Sequence, residues 1–259
     1  MKISVIVTAL NEERNIVSAI NNILAALEDL HQEGEIVVIN DGSTDQTEYL
    51  VMSVMKERKN IQLIRHEKPC GVGASFWDGV EACRGEAVVW MPGDNENDPR
   101  EILQYFHLLD HVDIVIPFIF NKEIRSRLRN MLSFVFRLII NTTFQVNFNY
   151  TNGTILYRKS IFKDIRSRSS GFFFHAEILI RAAKKGYLFA EVPCRLNTRE
   201  RGVSKALTLL SLAQVARGYF GLVRDLYFRK DSKPSFRFPD DSLTKVRREA
   251  SRNNWRMME

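Results

Sequence analysis

Apolar residues alternate between two spacings along the N-terminal part of the chain, and that alternation predicts a fold class before any chemistry is considered. Ile3–Ala9, Glu35–Asn40, Ile61–Arg65 and Ala87–Met91 are short, nearly continuous apolar runs, the pattern of strands buried on both faces. Between them apolar positions recur at steps of three and four: Ile16, Ile20, Ile23, Leu24 and Leu27, then Leu50, Val51 and Val54. A glycine turn, Gly71-Val72-Gly73-Ala74, opens a further helix running to about Cys83. The cluster Asp41-Gly42-Ser43-Thr44-Asp45 ends one strand and caps the next helix. Strands alternating with helices at this spacing predict an α/β fold, a mostly parallel sheet flanked by helices with right-handed crossovers.

Beyond residue 100 the pattern thins. Asp113 to Pro117 reads as another strand, Lys122 to Phe144 as a helix carrying Arg125, Arg127, Arg129, Ser133 and Arg137, and Gly171 to Gly186 as a helix containing His175 and Glu177. Ala206 to Phe228 is amphipathic, with Leu209, Leu212, Ala213, Ala216, Phe220, Val223 and Tyr227 set against Gln214, Arg217 and Arg224. The expected organisation is one main domain over 1–205, an amphipathic helix over 206–230 and a basic, loosely ordered tail over 231–259 with Pro234 and Pro239. No run of about 18 apolar residues occurs, so no ordinary bilayer span is expected.

The loops after the first, second and fourth strands carry Asn11 and Glu12, Asn40 and Asp41, and Asp94 and Glu96. In a parallel sheet these loops share the edge at which ligands bind. A nucleotide there meets carboxylates and amides for its base and ribose, the amides of the 71–73 turn near its phosphates, and a cation at 94–96. The competing reading of Gly93–Pro99 is an acidic turn that caps a helix, with Asp98 as N-cap and Pro99 at the first helical position. The glycine turn lacks the full dinucleotide fingerprint and follows the third strand, which disfavours a dehydrogenase. The net charge of +6 suits nucleic acid, an anionic membrane or a phosphorylated substrate. Acidic residues on the ligand-edge loops would repel a nucleic-acid backbone, so nucleic acid is not an expected partner. Cys70, Cys83 and Cys194 show no metal-ligand spacing, and Met1-Lys2 runs straight into a strand rather than a signal peptide, so a reducing cytosol is the expected setting.

The segments Ser4–Ile16, Asn40–Thr47, His66–Gly85, Gly93–Pro99, Asn149–Tyr157 and Glu191-Val192-Pro193, followed by Arg199, Gly202, Ser204 and Lys205, together resemble the family 2 glycosyltransferases of the GT-A fold. Within that family they are similar to the polyprenyl-phosphate hexose synthases, the group of dolichyl-phosphate mannose synthase. The resemblance implies a metal-dependent enzyme that moves a hexose from a GDP- or UDP-linked sugar to a polyprenyl phosphate. It places the nucleotide on Thr8, Leu10, Asn11, Glu12, Asn40, Asp41, Gly71, Gly73, Gly93 and Asp94, and Mg²⁺ or Mn²⁺ on Asp94 and Glu96. It assigns the transfer to Asp94, Glu96, Arg199 and Lys205, the last two on a basic loop that closes over the phosphates, and the acceptor phosphate to Arg129 and Ser133, one helical turn apart.

Glu177 is a further catalytic candidate, although a phosphate acceptor is already ionised and needs no base. The chain departs from the family pattern at Pro92, where Asp is usual, Glu96, where Gln is frequent, Thr8 in place of Pro, and Asn40 and Asn149 in place of Asp. The alternatives are a saccharide or glycolipid hydroxyl acceptor, or a non-catalytic nucleotide-sugar-binding homologue. The basic helix and the amphipathic helix predict a protein peripheral to the inner face of the membrane; the oligomeric state is not readable.

Overall fold

The computed structural model describes residues 1–165, 169–196, 209–229 and 238–256. Within them seven strands form one sheet in the order β3-β2-β1-β4-β6-β5-β7. The first half is strictly parallel: β1 (Ile3–Ala9), β2 (Gly34–Asn40), β3 (Ile61–Arg65) and β4 (Ala87–Pro92). They are joined by the helices α1 (Ile16–Asp29), α2 (Thr47–Glu57) and α3 (Val72–Ala82). These elements match the apolar periodicities, and so does α4 (Pro99–Leu103), whose N-cap Asp98 accepts the Arg100 amide at 2.9 Å with Pro99 in the first turn.

Strand residues alternate between two cores because successive Cβ atoms point to opposite faces. Ile6, Val37, Ile39 and Val88 join α3 and the later helices on one face. Val5, Val7, Ile36, Val38 and Val89 join α1 and α4 on the other. Both faces being covered explains why these strands are continuously apolar.

The second half departs from the simple alternation. β5 (Ile114–Ile119) leads through a short 3₁₀ turn into α5 (Arg127–Phe144), and the chain then returns as β6 (Leu156–Arg158), antiparallel to both β4 and β5. After α6 (Phe174–Lys185), β7 (Phe189–Cys194) pairs parallel with β5 at the sheet edge. The amphipathic stretch forms α7 (Leu209–Val223), continued by a π-helical turn over Arg224–Phe228. It packs on the core through Val215, Tyr219, Leu222 and Val223, with the Tyr219 and Thr143 hydroxyls 2.8 Å apart.

Part of the expected loose tail is ordered, which corrects the reading of 231–259. Leu243–Arg256 is a helix, α8, and its anchor lies far away in sequence. Asp113, fully buried just before β5, accepts the Leu243 amide at 2.9 Å, the Thr244 amide at 3.0 Å, the Ser242 hydroxyl at 3.0 Å and the Thr244 hydroxyl at 2.5 Å. A carboxylate on the first amides of a helix satisfies donors that have no partner within the helix and complements its dipole. Among the described residues no helix is long and apolar enough to cross a membrane.

Candidate active site

The carboxyl ends of β1, β2 and β4 lie side by side, and their loops are laced together. Asn11 adopts φ +54°, a left-handed conformation that Asn tolerates. Its amide donates to Ser43 Oγ at 2.9 Å and its side-chain oxygen accepts the Thr44 amide at 2.8 Å. The Glu12 amide donates to Thr47 Oγ1 at 2.8 Å, and Glu12 Oε2 accepts from the Asn15 side chain at 2.9 Å. Burial opposes ionisation of Asp45, yet hydrogen bonds from Thr47 and the Glu13 amide outweigh it and lower its pKa. Asn40 is buried, gives its side-chain N–H to Glu48 Oε2 at 3.2 Å and accepts the Ser43 amide at 3.0 Å. Asn11 and Asn40, expected on the nucleotide, thus brace these loops, and Asp41 lies buried beside them.

Asp41 is held through both of its oxygens. Oδ1 accepts the Cys70 amide at 2.7 Å and lies 2.7 Å from His66 Nδ1, while Oδ2 accepts the Gly71 amide at 3.0 Å. His66 Nε2 in turn lies 3.0 Å from Asp78 Oδ2 on α3. The roles of His66 and Asp78 were not assigned from the sequence; the signal available was the position of His66 immediately after a strand on the ligand edge.

The glycine turn needs correction. A side chain at Gly71, φ +97°, would come within 2.6 Å of Ser170 O, and one at Gly73 within 2.1 Å of Ser169 O. The Gly73 amide donates to Ser170 O at 3.0 Å. With the Gly71 amide on Asp41, neither of the two is available to a phosphate; these glycines serve a close backbone approach to 169–171 and the placement of Asp41.

The acidic turn extends β4. Thr8 pairs with Pro92 across β1 and β4 and accepts the Trp90 indole N–H at 3.0 Å, and the Gly93 amide continues the ladder to Thr8 O at 3.0 Å. Leu10 lies just past β1. Asp94 Oδ1 then accepts the Glu96 amide at 3.1 Å, and Asn95, at φ +60°, is pinned by the Asn22 side chain at 3.0 Å. Asp94 and Glu96 are half-buried on one constrained turn. Their hard carboxylate oxygens are donors of the kind that Mg²⁺ or Mn²⁺ takes, and Pro92 adds none.

The expected acceptor pair lies on α5, with Arg129 half-buried and Ser133 exposed; the Arg129 amide is capped by Ser126 Oγ at 3.3 Å. Arg137 instead reaches back to Asn149 O at 3.2 Å. Asn149 gives its amide and its side chain to the two oxygens of Glu191 on β7, at 2.6 and 2.7 Å, so it braces β7. Arg125, at the foot of α5, donates to Tyr150 OH at 3.3 Å.

On α6 both titratable groups turn inward. His175 Nδ1 lies 3.1 Å from Tyr157 OH, and burial drives the His175 pKa down to about 3, which keeps the ring neutral. Glu177 Oε1 accepts from Arg181 Nε at 3.0 Å, and Arg181 continues to Asp225 beyond α7 at 3.0 Å. Glu177 therefore ties α6 to α7 and is corrected from a catalytic to a structural role. Arg199 and Lys205 lie outside the described residues.

A family model described as glycosyl transferase family 2 matches residues 4–166. Dodecaprenyl-phosphate galacturonate synthase of Rhizobium johnstonii is 25% identical over 211 residues, covering 79% of this chain and 62% of that protein. Undecaprenyl-phosphate 4-deoxy-4-formamido-L-arabinose transferase of Pseudomonas fluorescens is 29% identical over 101 residues, 39% of this chain and 30% of the relative. The chain thus spans less than two thirds of the length of these relatives. Glucosyl-3-phosphoglycerate synthase of Mycobacterium tuberculosis, solved with UDP, superposes with a TM-score of 0.64 at 20% identity, covering 86% of this chain and 79% of that one. Its complex with Mn²⁺ and UDP-glucose gives a TM-score of 0.62 at 20% identity over 89% and 80% of the two chains. These superpositions show a shared fold.

Proposed function

The chain belongs to glycosyl transferase family 2 and has the GT-A fold, and from that premise we propose that it transfers a hexose from a nucleotide diphosphate sugar to a polyprenyl phosphate. The observation that carries the proposal is that Asp41 follows β2 and Asp94 and Glu96 follow β4 at one edge of the parallel strands, with the basic and apolar α5 following β5. Asp41 would accept the base N–H groups alongside the Cys70 and Gly71 amides it already holds. Asp94 and Glu96 would hold Mg²⁺ or Mn²⁺, which supplies positive charge to the leaving diphosphate. The turn that presents them is fixed before substrate arrives, so little reorganisation is needed as charge develops.

A phosphate acceptor is favoured over a sugar hydroxyl by Glu177. A hydroxyl must lose its proton to a base during attack, and the Glu177 carboxylate is committed to Arg181. A phosphate is ionised near neutral pH and attacks without one. The expected result is incorporation of radiolabelled sugar from a GDP- or UDP-linked donor into a polyprenyl phosphate, dependent on Mn²⁺ or Mg²⁺. Transfer to free saccharides with none to the lipid phosphate would overturn the acceptor assignment.

The same reading sets the protein against a membrane. Of the 18 residues of α5 only Ile140 and Phe144 are buried. Leu128, Met131, Leu132, Val135, Leu138 and Ile139 recur at helical spacing along its outward side and stay exposed, Leu128 at 61% and Met131 at 55%. Leu212, Phe220 and Phe228 add exposed apolar surface from α7 and its π turn. A polyprenyl phosphate presents its phosphate at headgroup depth, where such a helix lies with cations toward the lipid phosphates. Vesicles containing anionic lipid should co-sediment with the protein at low salt. The double substitution M131E/L138E should weaken that binding at least about tenfold, since burying each side chain is worth roughly 1.5 kcal/mol or more. Equal binding by variant and parent would show that α5 does not face lipid.

A further inference from the structure

We propose a second metal site, distinct from Asp94 and Glu96, in which Asp41, His66 and Cys70 bind a borderline-soft divalent cation of the zinc type. One ligand atom from each residue lies within 4.8 Å of the others. Carboxylate, imidazole and thiolate together select Zn²⁺ over Mg²⁺ or Ca²⁺, and three protein ligands leave a fourth tetrahedral position for water.

The surroundings supply what such a site needs beyond its ligands. Metal-bound histidines hand their second ring N–H to a carboxylate, and His66 Nε2 already lies 3.0 Å from Asp78 Oδ2. Asp41 is oriented by the Cys70 and Gly71 amides, so the residue that carries the thiol also fixes the acidic ligand. Cys70 is exposed, which gives the cation a way in. Without a cation, His66 Nδ1 and Asp41 Oδ1 stand 2.7 Å apart. With zinc on Nδ1 the neutral ring carries its one hydrogen on Nε2 and donates it to Asp78, and the Cys70 thiol hydrogen leaves to solvent as the Zn–S bond forms. Tetrahedral bonds of about 2.0 Å require the N–O distance to open to roughly 3.3 Å, a small swing of the imidazole.

Resting on the proposed function, Asp41 is also the acceptor for the donor's base, so zinc here competes with the nucleotide and the site is inhibitory. The test is titration of the reduced, full chain with Co²⁺ as a spectroscopic stand-in for Zn²⁺. One thiolate-to-cobalt charge-transfer band per chain is expected, displaced by Zn²⁺ and absent in Cys70→Ser. Cys83 and Cys194 are buried, and burial pushes both thiols up to about 11, so neither supplies that band at neutral pH. Cobalt on Asp94 and Glu96 would lack a sulfur band altogether. Asp78→Asn should keep the band and weaken the affinity about 10- to 100-fold, the usual effect of losing an outer carboxylate. No band in the parent chain at saturating Co²⁺, or a band that survives Cys70→Ser, overturns the site. Adding UDP or GDP with Mg²⁺ should weaken cobalt binding; nucleotide bound with unchanged cobalt affinity overturns the competition. Failure of any nucleotide to bind would count against the proposed function, and the cobalt band, which needs no nucleotide, would still decide the metal site.

Discussion

Asp94→Ala is expected to lower Mn²⁺-dependent sugar transfer by at least about 100-fold, with Glu96→Ala close behind. The scale is that of removing one fixed electrostatic contact from a site where charge develops, commonly about 10² to 10³ in rate. The structure separates the two variants. Asp94 Oδ1 also accepts the Glu96 amide at 3.1 Å, so removing Asp94 loosens the turn as well as deleting an oxygen donor. Glu96→Ala leaves that hydrogen bond in place, so its loss should fall on metal affinity, and raising Mn²⁺ should recover part of it. Steady-state rates across a Mn²⁺ series, with binding followed by electron paramagnetic resonance, would read both effects. Full turnover with unchanged metal dependence in both variants would remove the cation from this turn.

Asp113→Ala is expected to cost about 3–5 kcal/mol of stability, the range for breaking a buried ion pair from one side. The carboxylate is the acceptor for both the first amides and the capping hydroxyls of α8, and Arg158 Nε lies 3.5 Å from it with only 12% of its side chain exposed. Alanine leaves that guanidinium without its carboxylate and returns four donors to search for water. In a protein of this size each kcal/mol moves Tm by about 2–4 °C, so a fall of roughly 6–20 °C should appear by calorimetry. Asp113→Asn, which keeps one acceptor oxygen, should fall between the two proteins. Hydrogen exchange would show the 243–256 amides losing protection before the sheet does. A Tm within about 2 °C of the parent would mean that α8 contributes little to the fold.

The N-terminal half was legible because its information is local. Strands buried on both faces leave apolar runs, and the helices between them leave three- and four-residue spacing, so β1 to β4 and α1 to α3 fall where the pattern puts them. β6 is Leu156–Arg158, too short for a periodicity, and its place between β4 and β5 depends on partners far along the chain. α8 escaped for a related reason: Leu243–Arg256 is mostly polar, and its N-terminus rests on one carboxylate contributed by Asp113. At the site, residue type told which loops matter but not which way each side chain turns. Asn40 and Asp41 are neighbours with equally suggestive chemistry, yet Asn40 is spent on Glu48 and Ser43 while Asp41 meets the 66–71 loop. The glycines at 71 and 73 read as a turn offering amides to phosphates; their close approach to 169–171 is set by tertiary contact.

The three-residue β6 also dictates an order of assembly. β1 to β4 pair only with one another and with β6, so their mutual partners are all present once β4 has been made. The outer edge of β4 then waits, because its neighbour is Leu156–Arg158, and β5 joins the sheet only through that same strand. Until α5 has been made and the chain has turned back, Ala87 to Val89 present an open, apolar ladder that pairs with any strand it meets. A nascent chain stalled before residue 156 would keep that edge open, the condition that invites edge-to-edge aggregation.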